Sequence, residues 1–74
     1  MGKVVNVSIG EEIRCFVMSG SVPHDPAQLK KLVADQLGAP ALDANSLPAG
    51  ATFEDIMDAR LKAFGATNVE IFNR

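Results

Sequence analysis

Two stretches of this chain carry helix punctuation at both ends, and together they constrain the fold more than any other feature. The first is "DPAQLKKLVADQLG", residues 25–38. Asp25 is an N-cap, because its carboxylate can accept from the free amides of the first helical turn. Pro26 follows at the position where a missing N–H costs nothing. Gln28 stands three residues after the cap, as in a capping box. Leu29, Leu32, Val33 and Leu37 recur at helical spacing and form one apolar stripe. Gly38 suits the left-handed residue that closes a helix, and Pro40 blocks continuation.

The second stretch is "TFEDIMDARLKAFG", residues 52–65. Thr52 caps, Asp55 stands in the capping-box position, and Glu54 and Asp55 complement the positive end of the helix dipole. Phe53, Ile56, Met57, Leu61 and Phe64 form its stripe, and Gly65 ends it. The two frames have equal length. Their other residues do not match, so they are two helices and not a duplication.

Strand patterns flank this helical middle. In "KVVNVSI", residues 3–9, Val5, Val7 and Ile9 point one way and Val4, Asn6 and Ser8 the other. Gly10, Glu11 and Glu12 supply a hairpin loop. In "IRCFVM", residues 13–18, Ile13, Cys15 and Val17 alternate with Arg14, Phe16 and Met18. The first set is expected to join the core, with Cys15 packed as a small apolar residue. Near the C-terminus "ATNVEIF" alternates again, Val69 and Ile71 against Asn68, Glu70 and Phe72.

The order β-β-α-α-β predicts a two-layer α+β fold in one domain spanning 1–74. Both helices cover one face of a three-stranded mixed sheet of strand order 2-1-3. The third strand is expected parallel to the first, through a right-handed crossover. That pattern resembles the start and end of a β-grasp (ubiquitin-like) domain: a hairpin, a helix, then a closing strand. A second helix stands where that fold has its short extra strands, and no motif residue matches, so the likeness is one of pattern. The chain ends "EIFNR", without the flexible Gly-Gly tail that a conjugating member would need.

Composition narrows function mainly by exclusion. An apolar fraction of 47% suits a folded domain. Seven basic residues against nine acidic ones, with no Trp or Tyr, argue against nucleic-acid binding. No apolar run approaches a membrane span, and the broken N-terminal run is no signal peptide. The single Cys implies a reducing, cytoplasmic setting.

One Cys and one His supply neither a structural zinc site nor an obvious catalytic pair. His24, in "VPHDP", reads as an exposed loop residue. No calcium loop or phosphate-cradling glycine pattern occurs. No metal or cofactor is expected, and the chain reads as no enzyme.

What remains is a small protein-binding or regulatory module, the class of bacterial or phage accessory and inhibitor proteins. Its partner would be another protein or a second copy of the chain. Val4, Phe16, Met18 and Phe72 are expected to form an apolar patch on the uncovered sheet face. Edge pairing along an outer strand is the other route.

The rival reading is a small enzyme subunit or a carrier-type protein using the 39–51 loop. Leu42 and Leu47 are expected to anchor that loop, and Asp43, Asn45 and Ser46 form its polar tip. An acyl carrier would place a Ser at a helix start, but Pro48 follows Ser46-Leu47 at once.

Overall fold

The computed structural model describes residues 2–42, 45 and 47–73. The element order is β1 (Lys3–Ile9), β2 (Glu12–Met18), α1 (Pro26–Leu37), α2 (Phe53–Phe64) and β3 (Ala66–Asn73). The strands form one sheet of order β2-β1-β3. The fold is α+β, as the sequence pattern predicts, with strand order 2-1-3.

Both helices end where local chemistry dictates. Asp25 accepts from the Ala27 amide at 3.1 Å, and Gly38 closes α1 at φ 77°. Only a residue without a Cβ adopts that left-handed conformation at little cost. At α2 the capping box is complete: Asp55 N donates to Thr52 Oγ1 at 3.1 Å, and Thr52 N donates to Asp55 Oδ2 at 3.0 Å.

The core lies between the helices and one face of the sheet. It comprises Val5, Val7, Leu29, Val33, Ala34, Ala39 and Leu61, with Ile9, Phe16, Met18, Leu37, Ala66, Val69 and Ile71 packed around them. Leu29 and Leu61 are each about 1% exposed. Burying a side chain of that size stabilises by roughly 1.5–3 kcal/mol. The helical stripes are narrower than expected. Leu32, Phe53 and Phe64 are all partly open to solvent, at 38%, 42% and 38% exposure. On α1, Ala27 and Ala34 are buried beside Leu29 and Val33.

The sheet departs from expectation in two respects. First, β3 runs antiparallel to β1, so the sheet is wholly antiparallel and not mixed. The ion pairs between the helices show why. Lys30 on α1 pairs with Glu54 and Asp58 on α2, and Asp35 pairs with Arg60. Contacts therefore advance in the same sense along both helices. The 38–52 connection carries the chain back along the length of α1, about 18 Å for twelve residues, before α2 begins. Having repeated the direction of α1, α2 ends beside the finish of β1, and Ala66 pairs with Ile9. From there β3 can only return. The parallel closing strand that gave the β-grasp likeness is thus absent.

Second, β2 presents the opposite face to the core. Ile9 pairs with Glu12 across a two-residue turn of Gly10 and Glu11, with Gly10 at φ 62°. Taking Glu12 into the loop would have paired Ile9 with Ile13. One residue of loop length exchanges the two sides of the whole strand. Phe16 lies opposite Val5 and packs on the core with Met18, whereas Ile13, Cys15 and Val17 are exposed.

Candidate functional site

The outer face of the sheet is built by register. Antiparallel partners share a face, so Val17, Val4 and Phe72 form one row across the three strands. Cys15, Asn6 and Glu70 form the next row, and Ile13, Ser8 and Asn68 the third. Apolar groups thus fill the first row and the β2 side of all three. Ile13 is 69% exposed, Val17 56% and Phe72 46%. The expected patch is half right. Val4 and Phe72 lie on this face, but Phe16 and Met18 belong to the core side and are replaced by Val17, Cys15 and Ile13. A two-residue turn, recognised as such, would have placed them correctly.

The two edges differ. β3 carries a register shift opposite Ser8 and Ile9, with Thr67 Oγ1 donating to the Ser8 carbonyl at 3.3 Å. It also shows Asn68 and Glu70 to the outer face, joined by a 3.1 Å hydrogen bond. Bulges and charges of this kind protect an edge from pairing. β2 has a regular seven-residue ladder with β1 and no Pro or Gly. Its charges, Glu12 and Arg14, lie on the helix side, so its outer face is uncharged. Glu12, Ile13, Arg14 and Cys15 are all exposed.

Asp43 and Ser46 lie outside the described residues. Asn45 is exposed. Leu42 and Leu47 are half-buried, and Ala39 is the loop residue that joins the core. His24 is exposed and lines a shallow hollow of about 650 Å³ with Gly2, Lys3, Gly20 and Asn73. Among the described residues no three His, Cys, Asp or Glu side chains gather as a metal-ligand group. Among the described residues, too, no helix is long and apolar enough to cross a membrane.

The charged groups with displaced pKa values belong to the helix pair and not to the sheet face. Burial pulls the Lys30 ammonium down, but hydrogen bonds and charge from Asp58 and Glu54 outweigh it, and its pKa is raised. Asp35 is lowered by its hydrogen bond from Lys31 and then by that from Arg60. Lys30 thus clamps α1 to α2, and Asp35 is held both within α1 by Lys31 and across to α2 by Arg60. No family model, no curated protein and no solved structure matches the chain.

Proposed function

We propose that this chain is a non-catalytic protein-binding module that acts through the outer face and β2 edge of its sheet. One observation carries the reading. The row Val17–Val4–Phe72 meets the uncharged column Ile13–Cys15–Val17 at an unguarded edge strand. Such a face loses apolar exposure when covered, and such an edge offers backbone donors and acceptors to an added strand. The charged side chains of the helices support the same class, since Asp25 and Asp55 serve as caps and Lys30, Lys31, Asp35, Glu54, Asp58 and Arg60 are taken up in ion pairs. The small accessory and inhibitor proteins of bacteria and phages suit this size and chemistry.

The test is the double variant Val17→Ser/Phe72→Ser, used as bait beside the unaltered chain in affinity purification from the native host. Retained far-UV circular dichroism with loss of the associated protein, or of self-association, supports the reading. Unchanged association by a folded double variant overturns it.

A further inference from the structure

We propose that the occupant of the β2 edge is a second copy of this chain, joined by antiparallel β2–β2 pairing about a two-fold axis at Cys15. The inference rests on the protein-binding reading above and specifies its partner. Two antiparallel edge strands related by a two-fold axis require that axis to stand perpendicular to the sheet. Directly opposed residues then share a face, and one residue faces its own copy.

The charges select which residue that is. An axis at Arg14 sets two guanidinium groups against each other, which is destabilising. An axis at Ile13 or Phe16 leaves part of the strand unpaired. An axis at Cys15, the middle residue of the seven in β2, engages all of them. Ile13 then opposes the partner's Val17, and Val17 opposes the partner's Ile13. Glu12 opposes the partner's Met18, and Arg14 opposes the partner's Phe16, so no like charges stand directly opposite each other; the two Arg14 side chains lie only diagonally across the axis, and each has Glu12 of its own strand beside it. On the outer face the two uncharged columns become one apolar strip, continued at both ends by Val4 and Phe72. The bulged, polar β3 edge offers no comparable match.

Sedimentation equilibrium on the full chain tests association, and cysteine trapping tests register. Cys15→Lys places two ammonium groups across the axis. It is expected to weaken self-association about tenfold or more, with unchanged circular dichroism and, at dilutions where both chains are monomeric, a closely similar Tm. In a Cys15→Ser background, Ile13→Cys and Val17→Cys variants are expected to form a mixed disulfide with each other faster than either does alone.

A wild-type chain that stays monomeric at high micromolar concentration overturns the dimer. So does a dimer indifferent to Cys15→Lys, or one without the Ile13→Cys/Val17→Cys preference. If the monomer nevertheless captures another protein through Val17 and Phe72, the dimer fails while the protein-binding reading stands. If neither association occurs, both fail. Should Cys15→Lys lose its fold, Cys15→Glu with the same two readouts takes its place.

Discussion

Arg60 on α2 grips the C-terminal end of α1 at Asp35 and the chain just beyond it. Its Nη2 donates to Asp35 Oδ1 and to the Ala39 carbonyl, each at 3.1 Å, and its Nε donates to the Pro40 carbonyl at 3.1 Å. One planar side chain therefore joins the two helices and fixes the start of the long connection. Its side chain is only 11% exposed. Arg60→Ala removes three charge-assisted bonds and leaves the Ala39 and Pro40 carbonyls to find water. The expected loss is roughly 2 kcal/mol, read from the midpoint of urea unfolding. Arg60→Lys is expected to recover less than half of it, because an ammonium cannot reproduce the fork.

Asp35 gives the fold an acid dependence. Its pKa is lowered in the folded state by the hydrogen bonds from Lys31 and Arg60. Between the lowered value and the ordinary one, near 4, the unfolded chain binds more protons than the folded chain. The contribution is therefore complete above about pH 4 and is lost as pH falls through the lowered value. Asp35→Asn removes the titration but not the side-chain acceptor. The stability difference between wild type and Asp35→Asn is expected to shrink steadily on acidification. A difference that stays constant from neutral pH to the acid transition contradicts the assignment.

Lys30 has the opposite pH dependence. It reaches from α1 to Glu54 at 3.0 Å and Asp58 at 2.9 Å, one helical turn apart on α2. Without it, two like charges at i,i+4 face each other. Because both carboxylates are about half exposed, solvent limits the damage, and Lys30→Met is expected to cost about 1 kcal/mol. Adding Glu54→Gln to Lys30→Met should cost nothing further, and a double-mutant cycle gives the coupling. The raised pKa means that this contribution is present below the ordinary lysine value of about 10.4 and lost as pH rises through the folded value. Thermal melts in the alkaline range should show wild type converging on Lys30→Met.

The helix frames were legible in the sequence because caps are local. Asp25, Gly38, Thr52, Asp55 and Gly65 each act on backbone groups within a few residues of themselves. Strand order was legible too, from the hairpin and the apolar face on each strand. Strand direction was not, because it depends on whether the 38–52 connection turns back at once or first travels the length of α1. Nothing local to Ala39, Leu42 or Leu47 determines that path. The outer face was half legible for a related reason. Val4 and Phe72 are placed by alternation within their own strands, whereas Phe16 and Met18 depend on one residue of turn length between Ile9 and its partner.

That dependence makes Phe16 and Val17 a direct test of the hairpin register. Phe16 lies opposite Val5 and packs on the core, so Phe16→Ala removes a ring from a close-packed layer. The expected loss is about 2–3 kcal/mol, below the figure for a fully buried ring because Phe16 keeps some exposure. Val17, its neighbour in the chain, lies on the open face, and Val17→Ala is expected to cost no more than about 1 kcal/mol, chiefly through strand propensity. A hairpin paired one residue out of step would reverse the two results, because every side chain of β2 would change sides. Chemical denaturation of the two single variants, measured at high dilution so that any self-association does not contribute, separates these outcomes. A larger loss for Val17→Ala would place Ile13, Cys15 and Val17 in the core and remove the apolar edge on which the protein-binding reading stands.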